Sequence, residues 1–183
     1  MLCPIHIRDH GRALLMDYEQ FLDYHDGSAL AGAAIGWRAM ERAGMLLSDD
    51  EIWDRAELSV SARHDGPGVR DALEYVTRCF TRERFHGEAP RGQGSPCGSA
   101  VDFHFTVSDG RRVVQVALRA GVVPESFFAA ARRCREEPAS MEARAVLSEQ
   151  KAAVAAAVMG MDLRELFNSK LTLLMAPTGQ EHA

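Results

Sequence analysis

Val101-Asp102-Phe103-His104-Phe105-Thr106-Val107-Ser108-Asp109-Gly110-Arg111-Arg112-Val113-Val114-Gln115-Val116-Ala117-Leu118 carries the pattern that decides the fold class. Val101, Phe103, Phe105 and Val107 alternate with Asp102, His104 and Thr106, the period of a strand with one buried face. A second apolar run covers Val113 to Leu118, and Asp109-Gly110 between the two is a strong local signal for a hairpin. An antiparallel pair in mid-chain needs a cover for its apolar face, and the flanking segments are patterned to supply one.

Upstream, Leu14, Tyr18, Phe21 and His25 recur at helical spacing, with Leu15 and Leu22 beside them. This predicts an amphipathic helix over Gly11 to Tyr24, stopped by Asp26-Gly27-Ser28. A second helix is expected from Ala29 to Ala43, with Leu30, Ala33, Ala34 and Trp37 on one face and Gly44 as its end. Within it, Gly32 and Gly36 sit one turn apart, where missing side chains let a backbone or a ligand come close. Glu57 to Ala62 alternates as a half-buried strand and runs through His64-Asp65-Gly66-Pro67-Gly68 into a helix whose Val69, Ala72, Leu73, Val76 and Phe80 face inward. Glu88 to Ser99 is rich in Gly, Pro and Ser and reads as a long loop, a candidate lid or binding edge carrying Cys97.

Downstream, Pro124 suits the first turn of a helix over Glu125 to Arg135, and Pro138 closes that region. Ser140 can cap a helix running through Ala157 and broken at Gly160, and Asp162-Leu163-Arg164-Glu165 resembles a capping box for a last short turn. Lys170 to Met175 is apolar enough for an edge strand. These elements predict an α+β fold: a mostly antiparallel sheet covered by helices, with a helical C-terminal part. Residues 1–176 would form a single domain and residues 177–183 a flexible tail.

Composition bounds the function. With 183 residues, of which 46% are hydrophobic, the chain can bury a real core. Its net charge of −5 argues against non-specific nucleic-acid binding, which needs a basic surface. Arg111-Arg112 and Arg132-Arg133 are short and interrupted, as solvated faces are. Met1 to Ala13 carries Pro4, His6, Arg8, Asp9 and His10 in place of a signal peptide's apolar run, so a cytoplasmic location is expected. Ala152 to Met161 is much shorter than the ~20 residues that cross a bilayer, and no membrane association is expected. Cys3, Cys79, Cys97 and Cys134 contain no Cys-x-x-Cys pair, which indicates neither a disulfide framework nor a zinc ribbon.

Two stretches, His25-Asp26-Gly27-Ser28-Ala29-Leu30-Ala31-Gly32 and His64-Asp65-Gly66-Pro67-Gly68, place small and polar residues where a loop turns into a helix. The free N–H groups of a helix start can receive an anion or a cofactor edge. Gly27, Ser28, Gly32, His64, Asp65 and Gly68 are therefore the candidate cofactor-binding residues, forming a pocket for a small anionic or planar ligand. His25, Asp26, His64 and Cys79 are the candidate metal ligands, with zinc the candidate ion, although their spacing is not diagnostic. The bland alternatives are a helix-end imidazole for His25, a loop cap for His64 and Asp65, and a small buried side chain for Cys79. Cys3, His6 and His10 have a metal-compatible spacing at a chain end that would need tethering. A hydrolase or transferase would use His64 and Asp65, or Cys97 with His86 or His104 as base.

The same stretches resemble the formylmethanofuran dehydrogenase E-like family. Its members carry a His-Gly-His-x-Cys-Pro-Gly run leading into a Gly-Tyr-Arg-Ala helix, matched here by His25 to Gly32 and by Gly36-Trp37-Arg38-Ala39. A second family stretch, Cys-Gly-Val-Asp-Ala followed by Thr-Gly-Cys, is similar to Pro67-Gly68-Val69-Arg70-Asp71-Ala72 and Thr77-Arg78-Cys79. Leu166-Phe167-Asn168-Ser169-Lys170-Leu171 resembles the family's ending. Leu30 and Pro67 stand in the family's cysteine positions and Ser28 in that of a histidine. The resemblance thus implies an accessory protein binding a small molecule, cofactor or metal centre at a non-thiolate site, linked to a molybdenum or tungsten oxidoreductase system. Homodimerisation is expected from the apolar first helices and an open sheet edge.

Overall fold

A strand stands where the first helix was expected to begin, paired with another just before it. In a computed structural model, which describes residues 4–48, 51–89 and 102–174, β1 (Ile5–Asp9) and β2 (Arg12–Met16) pair antiparallel, with Ile5 opposite Met16 and Asp9 opposite Arg12. The turn residues His10 and Gly11 both take positive φ, 49° and 79°, the geometry that matches the twist of a tight hairpin. Their N–H groups donate to the two carboxylate oxygens of Asp54 at 3.1 and 2.7 Å. Asp17 accepts from the Gln20 N–H at 2.8 Å and starts α1 (Tyr18–Tyr24). The helix predicted over Gly11 to Tyr24 is thus confined to its last seven residues. Leu14 keeps helical spacing with Tyr18 by coincidence, while the turn and the Asp17 cap decide the backbone.

Asp9 ties this hairpin to the rest of the chain. Arg55 and Arg82 donate to its two oxygens at 2.7 and 2.6 Å. Those bonds, Arg55's foremost, hold the carboxyl well below the usual carboxylate range.

Helix α2 (Leu30–Leu47) is the axis of the molecule. It packs against α3 (Pro67–Thr77), α5 (Met141–Gly160), strand β6 (Arg112–Leu118) and β1, and it is buried on nearly every side. Gly44, expected to end it, lies within it instead. A Cβ there would sit 2.8 Å from Cζ2 of Trp53, so this glycine makes room for an indole. The α2–α3 crossing is equally close: a Cβ on Gly68 would stand 2.3 Å from the Ala29 carbonyl oxygen and 2.5 Å from the Ala33 nitrogen. Pro67 occupies the first turn of α3, where its missing N–H costs nothing.

The main sheet has the order β4-β3-β5-β6-β7, from β4 (Phe85–Gly87), β3 (Ser59–Ala62), β5 (His104–Ser108), β6 and β7 (Phe167–Leu173). β3 and β4 are parallel and every other pairing is antiparallel. The hairpin read from the sequence is β5–β6, with Ser108 opposite Val113 and Gly110 at φ 82°. Val60, Phe105, Val107, Val114 and Val116 are fully or almost fully buried, so the predicted alternation marks the core face. The α+β class with its mostly antiparallel sheet and C-terminal helices holds.

Helix α4 (Glu125–Glu136) follows Pro124, and Ser140 caps α5 by accepting from the Ala143 N–H at 3.1 Å. Asp162 caps the short α6 (Leu163–Leu166). Strand β7 starts at Phe167, three residues before the expected Lys170. Cys3, Cys97, most of the expected loop over Glu88 to Ser99, and the tail 177–183 lie outside the described residues. No helix among the described residues is long and apolar enough to cross a membrane.

Candidate ligand-binding cavity

His25 is spent on structure. Its side chain is wholly buried, its Nδ1 lies 2.7 Å from Asp71 Oδ2, and the Ala29 N–H donates to its Nε2 at 3.3 Å. An acceptor at Nε2 requires the proton at Nδ1, so Nδ1–H donates to Asp71. The imidazole therefore caps the start of α2, links it to α3, and stacks on Phe21 with ring centroids 6.0 Å apart. Both ring nitrogens are engaged, which leaves no lone pair for a metal in this arrangement. Asp26 is exposed and accepts from the Ser28 N–H at 2.8 Å; the Ser28 hydroxyl foremost, with that N–H, keeps its carboxyl low.

His64 is buried edge-on against Phe103, with centroids 4.9 Å apart. Burial pushes its imidazole below the ordinary value, opposed by the charges of Asp65 and Asp102. Asp65 itself is exposed. The Cys79 thiol is buried and pushed up to about 11, chiefly by loss of solvent, so it is a neutral thiol at physiological pH. Among the described residues no group of three or more His, Cys, Asp or Glu is placed to hold a metal ion.

The two loop-to-helix stretches do meet, through their glycines. A Cβ on Gly32 would lie 3.3 Å from the Val69 nitrogen and 3.7 Å from the Gly68 Cα, so the backbone of α3 fills the space a ligand would need there. Gly27 and Ser28 border a separate small depression of about 220 Å³ with Leu30, Cys134, Arg144 and Lys151. Lys151 already donates to the Ser28 carbonyl at 2.7 Å.

The larger cavity, about 650 Å³, opens at the other half of α2. It lies between α2, β1, Trp53 and the junction of α5 with α6, and Met45, Met159, Met161 and Trp53 supply much of its apolar wall. Its polar centre is Arg38 and Glu41, with side chains only 7% and 9% exposed. Arg38 Nη1 donates to Glu41 Oε2 at 2.6 Å, and Nη2 donates to the Met161 carbonyl. Arg38 Nε is buried with no hydrogen-bond partner among the described residues, and Glu41 is bonded through Oε2. Burial raises the Glu41 carboxyl above its ordinary value, with Arg38 pulling the other way. Trp53 is fixed at the wall by donating from Nε1 to the His6 carbonyl at 2.7 Å.

No family model matches the chain, and no curated protein matches it in sequence. What remains to indicate a function is the geometry of the cavity. Neither Arg38 nor Glu41 was among the expected site residues. The available signal was an i, i+3 pair of opposite charges on a helix otherwise apolar from Leu30 to Met40. A helix buried on nearly all sides has no solvated face on which to place such a pair.

Proposed function

We propose that this protein is a cytoplasmic small-molecule-binding accessory protein of the formylmethanofuran dehydrogenase E-like kind, with its ligand in the Arg38–Glu41 cavity. The observation that carries this reading is a buried ion pair forming the polar centre of an apolar cavity. Buried pairs seldom add stability over an apolar replacement, and a donor left unbonded is a further cost, so a binding role gives the pair its reason. The cavity volume lies within the range of about 300–1,000 Å³ common to small-molecule sites. Apolar walls with a few fixed polar groups are also usual in such sites. A cation at this place would meet the Arg38 guanidinium, so the reading needs no protein-held zinc. The link to a molybdenum or tungsten oxidoreductase system comes from the resemblance alone. Self-association is supported by Leu171, Leu173 and Leu174, exposed on and beside β7, which pairs on one side only among the described residues.

The test is a thermal-shift screen of aromatic and heterocyclic metabolites on the full chain, combined with native mass measurement for a copurified molecule. Met45 lines the cavity and is 61% exposed, so Met45→Trp should obstruct the mouth without opening the core. At ligand concentrations about a hundred times Kd, stabilisation of about 2.7 kcal/mol is expected for the native chain and most of it should vanish in the variant. Neither a shift nor a copurified mass, or a shift of equal size in Met45→Trp, would overturn the reading.

A further inference from the structure

Strand β7 ends the main sheet and, among the described residues, pairs on one side only; its ladder to β6 tells which of its groups are left over. The Leu174 N–H donates to the Arg111 carbonyl at 2.7 Å and the Arg119 N–H to the Leu166 carbonyl at 2.8 Å, each continuing the β6–β7 register past a strand end. Bonded residues alternate along an antiparallel ladder. The even-numbered residues from Leu166 to Leu174 therefore turn their backbone groups to β6, and Ser169, Leu171 and Leu173 turn theirs away from it. Ser169 stands opposite Val116 and Leu171 opposite Val114, so the side chains of these three residues lie on the buried core face of the sheet. Yet Leu171 is 38% exposed and Leu173 72%. The core face thus runs past its helical cover, beside free backbone donors and acceptors. Edge strands are usually guarded by a proline, a bulge or charges. β7 keeps an unbroken register with β6 over seven residues, contains no proline, and has Lys170 as its one charge.

We infer that this edge is covered by a second copy of the chain, β7 against β7, antiparallel about a two-fold axis at Leu171. An antiparallel edge is self-complementary, because both members present the same groups to one another. Charge and length choose the register. An axis at Lys170 would set the two ammonium groups directly opposite, which is disfavoured. An axis at Ser169 would leave Leu173 facing the partner's α6, and one at Thr172 would leave Ser169 beyond the partner's β7. An axis at Leu171 sets Lys170 across from Thr172, Leu171 across from its own copy, and Ser169 across from Leu173. The outward backbone groups of all three residues are then bonded, and the leucines of the two copies close over one another. The inference rests on the self-association in the proposed function, for which it supplies the surface, and not on what the cavity binds.

Sedimentation equilibrium and native mass measurement test it on the full chain, beside Leu171→Glu, Leu171→Lys and Leu15→Glu. The native chain is expected to be a dimer at micromolar concentration. Each Leu171 substitution sets a charge against its own copy at the axis, so either variant alone should dissociate, with Kd raised about ten-fold or more. An equimolar mixture of the two should recover the dimer as a mixed pair, because opposite charges then meet. Leu15 is 60% exposed but lies on β2, so Leu15→Glu should leave the dimer as it is. A monomeric native chain would overturn the inference, as would a dimer that both Leu171 variants keep, or a mixture that associates no better than either variant alone. The mass of the native chain is a test even if a variant fails to fold. A monomer that still responds in the metabolite screen would leave the ligand reading standing, and a dimer with a silent screen would do the reverse.

Discussion

The imidazoles of His25 and His64 are both buried, yet their surroundings give them different tasks. His25 joins the start of α2 to Asp71 through two hydrogen bonds, so its position beside a loop marks a helix cap. A sequence shows the histidine and the helix start, but not that the lone pair points back at the Ala29 N–H. His64 is held neutral by loss of solvent, and this has a pH consequence with a definite sign. The unfolded chain takes up the proton near the ordinary value of 6.5 while the buried ring resists it. The stabilising contribution is therefore complete above that value, declines as pH falls below it, and levels off once the buried ring also protonates. Urea unfolding midpoints at about pH 7.5 and about pH 5.5 should differ less in His64→Gln than in the native chain. An equal difference in both would assign the acid loss to other groups.

Glycine separates the roles of the helices. An exposed helical glycine replaced by alanine usually gains about 0.4–1 kcal/mol through the unfolded state. Gly160, at the end of α5, has nothing within 4 Å of an added Cβ, so Gly160→Ala should be neutral or stabilising by that amount. Gly68→Ala meets the Ala29 carbonyl oxygen and the Ala33 nitrogen, backbone atoms that cannot turn aside. That steric cost outweighs the propensity gain, and a loss of about 3 kcal/mol or more is expected by denaturant titration. Equal effects at the two sites would mean that α2 and α3 do not cross so closely. The same crossing explains which elements were legible. α2, α3, α4 and the β5–β6 hairpin have local patterns, and Pro67 and Pro124 mark the starts of α3 and α4. Gly44, by contrast, looks like a helix end until Trp53, nine residues away, is placed against it. The β1–β2 hairpin was hidden because its turn is completed by Asp54, more than 40 residues downstream.

At the scale of the whole molecule, long-range assembly decides both the sheet and the site. Strand β4 has three residues and pairs parallel to β3, too little sequence for a pattern to announce it. The resemblance points to the N-terminal end of α2, where the glycines serve the contact with α3. Arg38 lies in the resembled Gly36-Trp37-Arg38-Ala39 run, but it becomes a candidate binding residue only when β1, Trp53 and the α5–α6 junction enclose it. The central claim is that the buried Arg38–Glu41 pair receives the ligand. The most direct test is the arginine side-chain Nε–Hε NMR spectrum of the full chain, titrated with the metabolite that gives the largest thermal shift and assigned with Arg38→Lys. The Arg38 signal should shift in step with saturation, because the ligand settles beside its guanidinium, while Arg55 and Arg82 stay in place. Saturation without movement of the Arg38 signal, or with the changes centred on other residues, would contradict the account.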